Sequence, residues 1–157
     1  EKGAMMNTII SADVAGPEND ADRFQSTRAR AHPHCVVCSP VNPLGLGQEF
    51  VLQSDWSVEG NFSANKSFEG YPGLLHGGVT AALLDGAMTN CLFARGIHAV
   101  TAELKVRYRG RVTVGDAIVV RASLQETHGR LLLLRAELRQ GNTMKAVAFG
   151  KFVEIDD

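Results

Sequence analysis

A single carboxylate, that of Asp85, lies inside a long apolar stretch of the sequence. The segment 77–94 reads GGVTAALLDGAMTNCLFA, and Asp85 is its only charged residue. Burying a carboxylate without a partner is energetically costly, so an acid here indicates either a hydrogen-bonding partner or a chemical role. A purely structural interpretation, in which Thr89 or the neighbouring backbone satisfies the acid, stays open.

The residues just before this stretch could stabilise negative charge. A helix N-terminus offers free backbone N–H groups and the positive end of the helix dipole, and glycine lets a substrate approach the backbone closely. Gly77 and Gly78 stand where such a helix would begin, although they could equally serve only to make a tight turn. His76 could orient a substrate or hydrogen-bond to the backbone, and we favour the structural role.

A second group of residues could bind a metal ion. Four soft ligands fall within seven positions, namely His32, His34, Cys35 and Cys38. Zinc sites usually join two separated ligand pairs, and no second pair follows in the sequence. We therefore predict no metal site and a structured, metal-free loop, with structural zinc as the alternative.

The elements that must position Asp85 follow from the periodicity of the sequence. The apolar stretch predicts a buried central helix that ends at Arg95 and Gly96. Alternation of apolar and polar residues from Val100 to Arg109 predicts a half-buried strand. Three further strands, at about 117–126, 131–140 and 143–154, are separated by short turns and are therefore antiparallel.

The first half of the chain predicts less regular structure. Residues 1–31 are expected to form a polar, partly disordered arm in which 20–31 could be a short helix, and 32–157 a single domain. Two short strands are predicted within 48–68. The fold class is α+β, with a curved antiparallel β-sheet wrapped around one long central helix. A doubly wound parallel sheet is excluded because no helix-length segment separates the last four strands.

Composition narrows the function classes. The chain has 157 residues, 45% of them hydrophobic, and a net charge of −1, so nothing indicates nucleic acid or an anionic membrane as a partner. No apolar run reaches the roughly 20 residues of a membrane helix. The three cysteines make a poor disulfide framework, which favours a cytoplasmic location.

This order of elements, with His76 opening the helix and Asp85 nine residues later, resembles the hotdog fold and, more narrowly, the phenylacetate-pathway type of acyl-CoA thioesterase. The resemblance covers about residues 33–152. The segment that precedes the motif of the helix is also similar to the corresponding segment of many members, through His34, Cys35, Cys38, Asn42, Pro43, Gly45 and Leu46. It implies hydrolysis of an acyl-CoA, and we expect no cofactor.

The resemblance also implies roles for individual residues. The N–H of Gly77 polarises the thioester carbonyl, with Gly78 beside it, and Asp85 attacks the thioester or activates the attacking water. Thr101 falls where the family commonly positions that water with a hydroxyl, although it could be an ordinary strand threonine. Gly77 and Asp85 are eight positions apart, or about 12 Å along a helix, so one carbonyl cannot contact both on the same helix. If both act on one thioester they come from two chains, which implies a homodimer, and the family assembles in this way.

Coenzyme A brings phosphates, and cations recur at every second residue from 105 to 111. Arg109 and Arg111 are the favoured phosphate partners and Arg130 a weaker one, while a solvated sheet face is the alternative. Apolar residues predicted on the outer sheet face leave a dimer of dimers open: Leu131, Leu133, Val147 and Phe149.

One departure from the family concerns the segment before His76. Several relatives carry an Asn or Gln there, and residues 66–75 contain neither, so Glu69 or Asn65 could substitute.

Two other functions stay open. A hydratase or dehydratase acting on acyl thioesters would use His76 and Asp85 as its acid–base pair, and a non-catalytic acyl-CoA-binding module would need neither.

Overall fold

The computed structural model describes residues 19–156. Its elements follow in the order α1 (Asp20–Ala31), β1 (Val51–Leu52), β2 (Val58–Ser63), a 3-10 turn (Lys66–Phe68), α2 (Gly77–Phe93), β3 (Ala99–Tyr108), β4 (Ala117–His128), β5 (Leu131–Gln140) and β6 (Thr143–Glu154). The part of the expected N-terminal arm before residue 19 lies outside the described residues.

All six strands form one antiparallel sheet in the order β1-β2-β4-β5-β6-β3. Helix α2 packs on this sheet and contacts β2, β3, β4, β5 and β6. The α+β class, the antiparallel sheet and the central helix are therefore confirmed. β3 lies at one edge of the sheet, next to β6. The three strands that separate β3 from β2, namely β4, β5 and β6, all follow β3 in the sequence.

Helix α2 is buried around most of its circumference, which explains why its sequence is apolar on every face. Leu83, Leu84, Met88 and Cys91 are each 0% exposed. The chain leaves the helix through Gly96, whose φ of 69° lies in the left-handed region that glycine adopts readily. Among the described residues, no helix combines the length and apolarity needed to cross a membrane.

Helix α1 is attached to the core, and the domain boundary expected at residue 31 stays a prediction. Asn19 caps it by accepting a hydrogen bond from the Asp22 N–H at 2.9 Å. Phe24 is only 1% exposed, and Arg28 Nη1 donates to the Cys38 carbonyl at 3.0 Å. One large apolar side chain is thus enough to fix this otherwise polar helix on the domain.

The loop between α1 and β1 is structured, as predicted, and packs directly on α2. The Leu46 N–H donates to the Val36 carbonyl at 2.7 Å, which closes the loop on itself. Val37 is 6% exposed and contacts Gly86 of α2, where an added Cβ would lie 2.5 Å from Val37 Cγ1. The residue after Asp85 must therefore be small for the loop to dock here.

Two strand predictions need correction. β1 contains only two residues, since Phe50 is buried against the core before the strand begins. β3 ends at Tyr108, so Arg109 and Arg111 lie in the following loop rather than on a strand face shared with Lys105. The predicted row of four cations is therefore interrupted.

Candidate active site

The Asp85 carboxylate has a hydroxyl partner on the same chain. Thr101 Oγ1 donates to Asp85 Oδ1 at 2.8 Å, which joins the middle of α2 to the edge strand β3. Thr89 Oγ1 instead donates to the Asp85 backbone carbonyl at 3.1 Å, so Thr89 does not satisfy the carboxylate. Burial raises the pKa of Asp85, opposed by the hydrogen bond from Thr101 and by the charge of His32.

A β-bulge explains why Thr101 faces the helix. Thr101 pairs with Phe152 of β6, but the next paired residue is Glu103, so Ala102 is an extra residue in β3. Phe152 is fully buried, and its directly paired neighbour lies on the same sheet face. Strict alternation would place Thr101 on the polar face instead, so the predicted regular pattern is wrong at this point.

The start of α2 offers one backbone donor to a ligand. His76 is the N-cap residue, and its Nδ1 accepts the Gly78 N–H at 2.8 Å. The Val79 and Thr80 N–H groups donate to the His76 carbonyl. Within residues 19–156 the Gly77 N–H has no acceptor, so it is free to polarise a carbonyl. His76 thus caps the helix, and its role in catalysis, like the role of Gly78 in substrate binding, stays a prediction.

A cavity of about 500 Å³ adjoins this free N–H. Its walls include Tyr71, Leu74, Gly77, Tyr108 and Arg111. Tyr108 Oη donates to the Gly77 carbonyl at 2.7 Å and so fastens the end of β3 to the start of the helix. Sequence reasoning missed Tyr108, whose only signal is an aromatic residue at the last position of a strand.

Asp85 and Thr101 do not line this cavity. On one helix, Gly77 and Asp85 are separated by about 12 Å along the axis. A single chain therefore carries two half-sites, an N–H donor beside a cavity and a carboxylate held by a hydroxyl at the sheet edge.

The other predicted residues before His76 are engaged in local structure. Glu69 Oε1 accepts the Gly73 N–H at 3.1 Å and shapes the loop that leads to the helix. Asn65 Oδ1 accepts the Ser67 N–H at 2.8 Å and caps the 3-10 turn. Neither contact involves Asp85, so a role in holding water stays a prediction for both.

The predicted phosphate ligands are separated in space. Arg111 lines the cavity, whereas Arg109 does not. Arg130 lies in the turn between β4 and β5, and its Nε and Nη2 donate to the Glu154 carbonyl at 3.0 and 2.8 Å. This contact ties the turn to the end of β6, and Arg130 as a substrate ligand stays a prediction.

Three of the four soft ligands predicted near residue 35 converge, namely His32, Cys35 and Cys38, whose ligand atoms all lie within 4.8 Å of one another. His34 does not belong to this group. The charge of His32 also acts on Asp85, a proximity that their separation by 53 positions conceals in the sequence.

Comparison with known proteins agrees with this geometry. Residues 72–147 match the model of the thioesterase superfamily. The chain is 30% identical over 117 residues to acyl-coenzyme A thioesterase THEM4 of Bos taurus, which covers 71% of this chain and 48% of that protein. The chain thus spans about half the length of the curated relatives it matches.

Solved structures show the same fold. Protein RHA08564, a thioesterase superfamily protein, superposes with a TM-score of 0.74 at 28% identity and covers 76% of this chain and 63% of its own. The E. coli PaaI protein from the phenylacetic acid degradation operon superposes with a TM-score of 0.66 at 17% identity over 71% and 81% of the two chains. Through its fold and through the matched residues, which include both half-sites, the chain belongs to the thioesterase superfamily with the hotdog fold.

Proposed function

We propose that the chain is an acyl-CoA thioesterase that hydrolyses an acyl-CoA to the free acid and coenzyme A as a homodimer. The observation that carries this proposal is the arrangement of α2, which has a free N–H donor at its start and a half-buried carboxylate eight residues later. Each half-site supplies what the other lacks. The names of the matched relatives, which are acyl-CoA thioesterases, support the same substrate class.

The first half-site acts on the carbonyl oxygen. When a nucleophile attacks a thioester, negative charge develops on this oxygen, and a preorganised N–H donor stabilises it. The Gly77 N–H is such a donor, and it lies at the positive end of the dipole of α2. Because the Gly78 N–H already donates to His76, we assign the polarising role to Gly77 alone.

The second half-site acts on the carbonyl carbon. As a general base, Asp85 of the partner subunit takes a proton from water while the water oxygen bonds to the carbon. The C–S bond then breaks, and the proton passes to the departing CoA thiolate. As a nucleophile, Asp85 would attack the carbonyl carbon and expel the CoA thiolate, which takes a proton from solvent. Water would then hydrolyse the resulting mixed anhydride to the free acid and the Asp85 carboxylate. In both cases Thr101 holds the carboxylate, and burial, which raises the pKa of Asp85, makes it more basic.

The edge strand provides the surface for a dimer. Among the described residues, β3 has a hydrogen-bonded neighbour on one side only, and Val100 and Tyr108 on it are 51% and 55% exposed. Exposed edges with apolar residues favour association with another chain. A two-fold axis beside β3 that packs two α2 helices antiparallel would bring Gly77 of one subunit near Asp85 of the other. A dimer of dimers has less support, since Val147 is buried although Phe149 is 44% exposed.

Arg111 is the cation that we assign to the CoA phosphates. It lines the cavity beside Gly77 and can therefore act on a ligand whose carbonyl lies at that N–H. His76 Nδ1 is occupied in capping the helix, which leaves Nε2 for acid–base chemistry, so a hydratase that uses His76 with Asp85 stays the alternative.

A proline at residue 77 tests the donor without disturbing the helix. Gly77 is the first helical residue, where proline is well tolerated, and the preceding residue has a proline-compatible extended conformation (φ −62°, ψ 135°). Gly77→Pro removes the N–H, whereas Gly77→Ala keeps it, with its Cβ about 3.6 Å from the Tyr108 ring. We expect Gly77→Pro to lower acyl-CoA turnover by about 10²- to 10³-fold, and Gly77→Ala to remain active.

Turnover is measured as thiol release from a panel of short-chain, long-chain and aryl acyl-CoAs, and circular dichroism verifies the fold of each variant. A folded Gly77→Pro protein with wild-type turnover would refute the polarising role. If no acyl-CoA in the panel is hydrolysed but several bind, the chain is a binding module and not an enzyme.

Mixing two inactive variants tests whether the site is shared. Dimers formed from Gly77→Pro and Asp85→Asn subunits contain one site with Gly77 and Asp85 both intact. Random exchange gives half heterodimers, each with one active site of two, so recovery of about one quarter of wild-type turnover is expected. If mixing restores nothing although the subunits exchange, the two residues do not meet across the interface.

A further inference from the structure

The loop after α1 brings three soft ligand atoms to one place, apart from the half-sites described above. His32, Cys35 and Cys38 place their ligand atoms within 4.8 Å of one another, and His32 Nδ1 lies 3.8 Å from Cys38 Sγ. Tetrahedral zinc, with Zn–S of about 2.3 Å and Zn–N of about 2.0–2.1 Å, holds its ligand atoms roughly 3.5–3.8 Å apart. A contraction of about 1 Å therefore converts this cluster into three vertices of a tetrahedron.

The backbone around Cys35 is already arranged for a charged sulfur. Cys35 Sγ accepts hydrogen bonds from the Val37 N–H at 3.3 Å and from the Cys38 N–H at 3.4 Å. Hydrogen bonds to the charged form of a group favour that form, and the thiolate is the form of cysteine that binds metals. A turn that folds two donors back onto the first sulfur thus stabilises a Cys35 thiolate.

The surroundings of Cys38 and His32 argue for a metal and against a redox pair. Reactive redox cysteines are accessible, whereas Cys38 is only 3% exposed. The His32 ring lies directly beside it, with Nδ1 3.8 Å from Cys38 Sγ.

We propose that His32, Cys35 and Cys38 bind one thiophilic divalent cation of the Zn²⁺ type, with solvent in the fourth position. On binding, each thiol loses its proton to solvent, so two thiolates, a neutral imidazole and the dication form a neutral group. Such a group can stay partly buried without the penalty of an isolated charge. The sequence argument against a metal was the lack of a distant second ligand pair, whereas the proposed site needs only three protein ligands and solvent.

The position of the cluster gives the cation a structural role. It would join the C-terminus of α1 to the loop whose Val37 packs on Gly86 of α2. The His32 ring packs edge-on against Phe93 of the same helix, with ring centroids 4.8 Å apart. The cation would therefore fasten this loop onto α2 beside Asp85, a consequence that does not depend on the reaction proposed above.

Cobalt titration of the full chain, purified without a histidine tag and stripped of metal under reducing conditions, tests this site. We expect one Co²⁺ per chain, with a thiolate-to-cobalt charge-transfer band that stoichiometric Zn²⁺ abolishes. Cys35→Ser should lose the band, and His32→Gln should weaken cobalt binding at least tenfold. Cys91→Ser, which removes a buried cysteine outside the cluster, is the matched control and should keep the band.

Because Cys35 and His32 are only half-buried, both substitutions should leave the circular dichroism spectrum unchanged. A natively folded wild-type chain without the charge-transfer band at saturating Co²⁺ would overturn the proposal and establish a metal-free loop. The same conclusion follows if Cys35→Ser retains the band at full intensity. None of these readouts requires thioester hydrolysis, so the metal site and the proposed activity can fail separately.

Discussion

Two aspartates of this chain each accept a hydrogen bond from a hydroxyl side chain, yet their surroundings have opposite effects. Asp85 is half-buried on α2 and bonds to Thr101 at 2.8 Å, and burial raises its pKa. Asp55 lies in the turn between β1 and β2 and bonds to Ser57 Oγ at 2.5 Å. The hydrogen bonds from Ser57, together with Arg121, whose Nη2 lies 2.6 Å away, lower the pKa of Asp55 to about 2.

The difference shows that a carboxylate–hydroxyl pair has no function by itself. Asp55 is stabilised as an anion by donors and a cation in an exposed position, so it holds a proton only weakly and serves the turn. Asp85 has one side-chain donor and a desolvated environment, so its charged form is less favoured and its oxygen more basic. Three experiments can sharpen or break this comparison.

The largest difference is expected in turnover after the carboxylates are replaced. Asp85→Asn keeps the size of the side chain and an acceptor for Thr101 but removes the base, so we expect thioester hydrolysis to fall by about 10²-fold or more. Asp55→Asn should leave turnover within a factor of about two, since this residue lies outside both half-sites. Thiol release under saturating acyl-CoA measures both. Equal turnover in the two variants would end the catalytic interpretation of Asp85.

A smaller difference is expected when the hydroxyls are removed. Thr101→Val deletes one hydrogen bond to a charged acceptor, which is worth about 1–1.5 kcal/mol and corresponds to roughly tenfold in turnover. Thr101→Ser keeps the hydroxyl and should stay close to wild type, whereas Ser57→Ala should affect thermal stability without affecting turnover. Wild-type turnover in Thr101→Val would make Thr101 an ordinary strand residue.

The sequence was most informative where its periodicity was strong. The central helix and the strands β4, β5 and β6 were predicted with ends that differ from the structure by a few residues at most. These elements have either a continuous apolar surface or clear alternation, and short turns determine their order. Asp85 was identified as a candidate because a lone acid in an apolar helix conflicts with burial. The two glycines were identified because they stand where that helix begins.

The features that the sequence could not show depend on contacts between distant segments. The bulge at Ala102 arises in the pairing of β3 with β6, and it turns Thr101 toward α2. The attachment of α1 depends on one buried side chain, Phe24. The proximity of His32 to Asp85 depends on how the loop docks on Gly86. In each case a local pattern gives no information about the partner.

The smallest effect is expected in the pH dependence of thermal stability, where the two aspartates should act in opposite directions. The folded-state pKa of Asp85 is raised above its unfolded value, so the folded chain binds more protons and loses stability as pH rises from about 4 through the raised pKa. Asp55 behaves in the opposite way, because its lowered pKa contributes stability above about pH 4 that is lost as the pH falls toward about 2.

At pH 7, Asp85→Asn should therefore raise the thermal midpoint and Asp55→Asn should lower it, each by no more than a few °C. Toward pH 4 both differences should shrink, since a larger fraction of Asp85 is then protonated in the folded chain and the advantage of ionised Asp55 is decreasing. Thermal unfolding of the two variants and the wild type at pH 4, 5.5 and 7 measures these shifts. A lower midpoint for Asp85→Asn at pH 7 would mean that the Asp85 charge stabilises the fold, and its basicity would then have no structural origin.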